Sequence, residues 1–437
     1  MPSSTEVTTR TSKRARSLVT TKMSGSTTST GESLTATSAL LERVLSQPTA
    51  PFREGWVRAE IRRILDENQI PHFSDKIGNL IAGVSSPKEL NSEFRVAMMA
   101  HMDHPGFHLG PKIKGRQHRC FWFGGAPYRQ MEGARVRVFD PLNRELSAQG
   151  TITKFETPLN RDEEGIPFLV EFERELKGFS EASFGAFDLE GFQLADDVIR
   201  TRAADDLAGC VIALGALIDQ EQALRKEEKL PPSHASRRRF TREKNPRRLL
   251  AVFTRAEEVG FIGCTDLLAR KLFTENTWFL SLEASKALPE AEMGRGPVLR
   301  IGDAWCLFDA EFSALLWTFA KELAASTEKS ENPFRFQRRL MSGGVCEGTP
   351  LTIFGFQVAA ISVPLLNYHN QGEDGPAQEM ISLFDVEGAR ALCFSLVEKL
   401  KEKPDWRSKV KKEILGFHRK LKPHLKAEIA FDGEDPQ

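Results

Sequence analysis

Apolar positions recur at helical spacing in two early stretches, Leu40, Leu41, Val44, Leu45 and then Trp56, Val57, Ile61, Ile64, Leu65, with Pro48 and Pro51 between them. The spacing predicts two helices within Ala39 to Gln69. From Asp75 the pattern changes to compact apolar runs, Leu80-Ile81-Ala82 and Val96 to Ala100, which suit strands buried on both faces. Between Phe107 and about Arg200 no long helical period appears. Turn clusters such as Phe123-Gly124-Gly125-Ala126-Pro127 and the alternation Ala134-Arg135-Val136-Arg137-Val138 predict a separate small β domain. After Ala204, helix and strand alternate: a helix through Val211 to Ile218, a strand Leu249 to Phe253, a helix over Val259 to Leu272 and a strand Trp278 to Leu282. A helix around Ala310 to Ala325, a strand Val358 to Val363 and a last helix Val386 to Leu400 follow. This rhythm predicts an α/β fold, a doubly wound, mainly parallel mixed sheet with helices on both faces, interrupted by the β stretch.

The chain divides accordingly. Residues 1–36, rich in Ser and Thr, hold too little apolar surface to offset chain entropy and are expected to be a disordered tail. Residues 37–107 begin the α/β domain, 108–198 form the barrel-like insert, 199–404 complete the α/β domain, and 405–437 are a C-terminal extension with dispersed Lys and Leu. The charged, Pro-broken segment 225–248 reads as a solvated surface loop.

Composition narrows the partners. Lys plus Arg and Asp plus Glu number 60 each, so no whole-chain field favours nucleic acid or an anionic membrane, and neither is expected as a partner. The six cysteines are scattered, without a CxxC pair, and read as reduced thiols. The N-terminus lacks an apolar signal core, and no run of 18 apolar residues occurs. A cytoplasmic location is the expectation.

Chemistry collects where strands end. In VAMMAHMDHPGF an apolar strand runs into His101-Met102-Asp103, and ligands gather beyond the carboxyl ends of strands in such sheets. A neutral imidazole at His101 suits zinc, and a nearby carboxylate such as Asp103 can take its other ring N–H. Asp205-Asp206 open the helix after the insert; capping explains two acids there, but one carboxylate can also bridge two metals while its neighbour supports it. After the strand Leu249 to Phe253 come Glu257-Glu258, which offer a metal ligand and a free base for hydrolysis. Another strand ends at Glu283, and the run Ile361 to His369 brings a second histidine. Singly each is ordinary. As a series on successive strand ends they make two nitrogen and several oxygen donors for a pair of Zn-like ions.

These motifs resemble the glutamyl and deblocking aminopeptidase family, which includes the self-compartmentalised tetrahedral aminopeptidases, among the co-catalytic dizinc exopeptidases. The likeness runs from about Leu40 to Leu400: DKIGNL from Asp75 looks like its entry strand, AHMDHPGF its first metal motif, DDLAG its bridging motif and EEVGFIG its catalytic motif. The resemblance implies that Asp205 bridges two metal ions, that His101 and Glu283 complete one site and Glu258 and His369 the other. It implies Glu257 as general base, Asp103 orienting His101 and Asp206 supporting from behind. It also implies two divalent ions per chain, zinc with cobalt or manganese as alternatives, and an insert involved in oligomerisation. Departures are His104 after H-M-D, where the family has an acid; Leu207 in place of Arg; Glu283 in place of Asp; Gly343-Gly344-Val345-Cys346 in place of Gly-Gly-Thr-Asp; and Leu366-Asn367-Tyr368-His369 in place of Arg-Tyr-x-His.

The expected activity is therefore removal of N-terminal residues from peptides with a free amino terminus, by a metal-activated water with Glu257 as base. A related dizinc carboxypeptidase or deacylase is the alternative, and a noncatalytic scaffold of the same fold a third reading. The aromatics Phe121, Trp122, Phe123, Phe168 and Phe184 exceed what a β domain of about 90 residues easily buries alone, which with the resemblance predicts a homo-oligomer through the insert.

Overall fold

A computed structural model describes residues 35–91, 93–156, 165–228, 247–400 and 405–431. The tail up to residue 34 and most of the charged segment 225–248 lie outside the described residues.

The centre is an eight-stranded sheet. Its four middle strands, Leu249–Thr254, Arg95–His101, Thr277–Lys286 and Val358–Leu365, lie side by side and parallel. Leu80–Ala82 pairs antiparallel outside the first, with His72–Ser74 beyond it. Val298–Gly302 pairs antiparallel outside the last, with Gln337–Leu340 at the far edge. The continuous apolar runs follow from burial on both faces. Alternate residues feed two cores: Val96, Met98, Ala100, Leu249, Ala251, Phe253, Trp278 and Leu280 on one side, Ala97, Met99, Leu250, Val252 and Phe279 on the other.

The first core is closed by helices Ala36–Leu45, Leu207–Glu228, Ala310–Thr327 and Leu383–Lys399. The second is closed by the shorter Pro87–Leu90, Ile262–Ala269 and Gly348–Ile353. Helix Leu207–Glu228 is apolar around its whole circumference over its first turns because it lies between the sheet and other helices, and Leu207 to Leu217 are buried. That burial fixes the position of its N-terminus, where Asp205 and Asp206 sit.

The insert is a closed antiparallel barrel of six strands, in the order Gly106–Lys114, Gln117–Phe123, Ile166–Phe172, Asn143–Phe155, Arg135–Asp140 and Phe184–Phe187. Its aromatics are used internally. Trp122 and Phe168 fill the barrel with Phe107, Phe172 and Phe187, while Phe184 joins Phe139 and Ala50 around Trp56 of the second helix. Of the five aromatics singled out in the sequence, Phe121 and Phe123 are left half-buried, by strand alternation. The aromatic surplus expected from the sequence is thus absorbed by the barrel interior and its seam with the α/β domain, and it gives no argument for a subunit contact.

Past the barrel, Gln193–Ala195 and Val198–Thr201 form a hairpin whose second strand pairs with Glu379–Ser382. A final helix, Trp406–Phe431, follows the last core helix.

Candidate metal centre

Two neighbouring parallel strands end at one level, and the polar residues gather around it. His101 is the last residue of its strand, opposite Thr254 in the register. Two residues past Thr254, Ala256 takes a positive φ of 54°, costly for a residue with a Cβ. Its N–H donates to Glu54 Oε1 at 3.1 Å, which helps hold the turn. That turn aims the next two backbone N–H groups at a single carboxylate: Glu257 donates to Asp103 Oδ1 at 2.9 Å and Glu258 to Oδ2 at 3.1 Å. Asp103 therefore aligns the glutamate pair as well as facing His101, whose Nδ1 lies 3.1 Å from the Asp103 carbonyl and 3.5 Å from Oδ1.

Glu283 lies within its strand rather than at its end. The strand continues to Lys286 because the neighbour continues too, Glu283 pairing with Ser362 and Lys286 with Leu365. Ser281 Oγ donates to Glu283 Oε1 at 3.0 Å, and the buried Arg300 guanidinium stands 4.0 Å from Oε2. His369 sits in a short turn with φ 52°, flanked by Asn367 and Asn370, also at positive φ. Its imidazole stacks on Tyr368, and a Cβ built on Gly125, in the insert, would come within 2.4 Å of its Nδ1.

All five residues read as metal ligands converge. The two oxygens of Asp205 face different histidines, Oδ1 at 3.5 Å from His101 Nε2 and Oδ2 at 3.4 Å from His369 Nε2. Glu258 Oε1 is 3.2 Å from His369 Nε2, and Glu257 Oε2 is 3.7 Å from His101 Nε2. Single donor atoms of His101, Asp205 and Glu283 lie within 4.8 Å of one another, as do those of Asp205, Glu258 and His369. The same holds for His101, Glu257 and Glu258, so Glu257 is close enough to serve either as ligand or as base.

The electrostatics ask for cations. Burial, reinforced by neighbouring carboxylates, pushes Glu257 and Asp206 well above the usual carboxylate range and Glu347 up to about 8. For His101 and His369 burial opposes the charged form, but the surrounding carboxylates outweigh it and raise both well above an ordinary histidine. Among the described residues the buried Glu258 Oε1 and His369 Nε2 make no hydrogen bond of good geometry, their 3.2 Å approach being an ion-pair distance only. Unpaired buried acceptors beside excess buried carboxylate are costly unless a cation satisfies them. Oxygen and imidazole donors of this kind suit divalent ions of the zinc class. The residues fit the group.

No protein-family model matches the sequence, and no curated protein matches it significantly. Solved structures do. Over 83% of this chain and 99% of the other, the TET1 peptidase of Pyrococcus horikoshii, described as assembling into a tetrahedron or a large octahedral shell, superposes with TM-score 0.62 at 22% identity. An aminopeptidase of the archaeon Desulfurococcus kamchatkensis gives 0.60 at 20% identity, over 83% of this chain and 94% of its own. A TET aminopeptidase from a marine-sediment thaumarchaeon gives 0.61 at 19%, over 83% and 97%. The chain has the TET aminopeptidase fold.

Within this TET fold, several residues at the centre carry no motif that the sequence makes visible. Glu379, fully buried, accepts the N–H of Ala204 at 2.7 Å and of Asp205 at 3.1 Å through Oε2, and that of His369 at 2.8 Å through Oε1. It ties Asp205 to His369. His104, noted above only as a departure, places Nδ1 2.6 Å from the Asp205 carbonyl and Nε2 3.2 Å from Asn370 Oδ1. Glu379→Ala should leave three N–H groups without an acceptor, lowering stability in urea by about 3 kcal/mol or more. Zinc affinity should fall by roughly 10- to 100-fold, the usual effect of losing a group that orients metal ligands. Unchanged zinc affinity in isothermal titration would remove Glu379 from the centre's support.

Proposed function

We propose that the chain is a dinuclear metal-dependent aminopeptidase that releases N-terminal residues from peptides. The observation that carries this reading is the placing of Asp205 between His101 and His369 with one oxygen toward each, beside a glutamate pair aligned by Asp103. In this reading His101 and Glu283 would hold one ion, Glu258 and His369 the other, and Asp205 would be shared between them. Zinc is the first choice, cobalt or manganese the alternatives. When bound, such a pair polarises a scissile carbonyl and acidifies the attacking water.

The chain's own groups do the rest. Glu257 takes the water proton at a carboxylate oxygen and returns it to the departing amine. Its backbone bond to Asp103 fixes the direction from which it acts. Asp206, buried behind Asp205, accepts the Gly209 N–H at 3.2 Å through Oδ1 and so holds the start of the helix that carries the pair. A peptide's cationic α-amino group is attracted by the same carboxylate excess.

A panel of aminoacyl-p-nitroanilides assayed with zinc, cobalt and manganese tests the activity. Turnover of at least one member is expected. None, with metal bound, would move the site to deacylase or carboxypeptidase chemistry, which uses the same donors.

The TET neighbours suggest a homo-oligomer, here through the barrel insert. The full chain should sediment as a dimer or larger, and a monomer at micromolar concentration would sink this part. A cytoplasmic setting completes the reading; among the described residues all six cysteines are free thiols, five of them buried. Secretion of the chain in cell fractionation would contradict it.

A further inference from the structure

The terminal helix Trp406–Phe431 lies outside everything the centre requires. Among the described residues its polar contacts with the body are confined to the first turn. There Glu311 accepts from the Trp406 N–H at 3.0 Å and from Arg407 Nε at 3.1 Å. Beyond that turn Ile414, Phe417 and Leu421 are 59%, 59% and 56% exposed. They are not scattered. At 3.6 residues per turn, Trp406, Val410, Ile414, Phe417 and Leu421 fall within an arc of about 80°.

The rest of the helix surface is mainly basic, with Leu415, 47% exposed, on the opposite side. Over 406–431 the chain has eight Lys and Arg against two Glu, although the whole protein is balanced at 60 of each sign. Lys411 and Lys422 flank one side of the apolar stripe and Lys409 and Lys420 the other, with Lys412 and Arg419 behind. A second copy of so basic a helix would be repelled. A flat anionic surface meets the stripe and both flanking lysine rows at once, the lysine stems lying along the apolar face while their ammonium groups reach phosphate. The cytoplasmic leaflet is such a surface.

We propose that Trp406–Phe431 is an interfacial helix that docks the protein on anionic phospholipid membranes, its apolar stripe in the acyl boundary and its lysines on the headgroups. This replaces the expectation of no membrane partner, which rested on whole-chain charge and could not register a local excess. The inference is independent of the enzymatic reading.

Co-sedimentation of the full chain with vesicles tests it, using phosphatidylcholine alone and phosphatidylcholine with about 30% phosphatidylserine. Binding to the anionic vesicles should exceed binding to the neutral ones by about tenfold and fall steeply with salt. The exposed triple variant I414D/F417D/L421D should lose it while keeping the wild-type melting temperature, and a chain ending at residue 404 should lose it too. No binding of the full chain to anionic vesicles at low salt would overturn the proposal, as would wild-type binding by the triple variant. Failure on vesicles with retention on immobilised polyglutamate would assign the helix to an acidic protein instead. A smaller sedimentation coefficient for the triple variant without lipid would assign the stripe to a second copy. Either result defeats the membrane assignment.

Discussion

Asp205→Ala should cost the protein both ions: wild-type chain reconstituted with excess zinc and desalted should hold about two equivalents, the variant well under one, with hydrolysis lost in parallel. The expectation follows from position. Each oxygen of Asp205 faces a different histidine at about the same distance, so a single truncation opens both donor sets, whereas loss of His101 or His369 opens one. Folding should survive. Asp205 pairs with both His101 and His369, and those pairs outweigh burial and hold its carboxyl well below the usual range, so the metal-free variant should melt below metal-free wild type while still unfolding cooperatively. A variant that still retains two equivalents would show that Asp205 is not shared between sites.

Glu257→Gln should lower turnover by roughly 10² to 10⁴, the usual weight of a general base, with metal content unchanged. The amide keeps the shape of the side chain and leaves the backbone bond to Asp103 intact, removing only the proton acceptor. Distance alone does not decide this residue's part, since Glu257 is 3.7 Å from His101 Nε2 where Asp205 is 3.5 Å. Metal analysis beside kinetics does. A variant that loses zinc but retains normal turnover per remaining ion would make Glu257 a ligand and reverse the order of the pair.

Much of the centre was legible because the chain writes it locally. An apolar run buried on both faces announces a strand, and the polar residue closing the run announces what stands at the sheet's edge, which is how His101 and the Glu257-Glu258 pair could be read. Glu379 could not be read this way. It reaches Asp205 and His369 only because its short strand pairs Glu379 with Thr201, a register set by residues 178 positions apart in a segment with no motif. The position of Glu283 is legible in the sequence but the length of its strand is not, since extension past it depends on the neighbouring strand being equally long. A count of the barrel aromatics carries no direction, and strand alternation decides which of them reach the surface; Trp122 faces in while Phe121 and Phe123 face out. In the terminal helix the period was present in Val410, Ile414, Phe417 and Leu421, yet dispersed lysines obscured it.

The contact between Gly125 and His369 gives the insert a mechanical role. The barrel's first strand starts at Gly106, five residues past His101, and the segment after its second strand passes against the other histidine at Gly125. Two points of the barrel are thus fastened to the two ends of the donor set. Excising or replacing the barrel would therefore also remove the backbone that packs against the His369 ring, so such a change reaches the candidate metal centre as well as the insert.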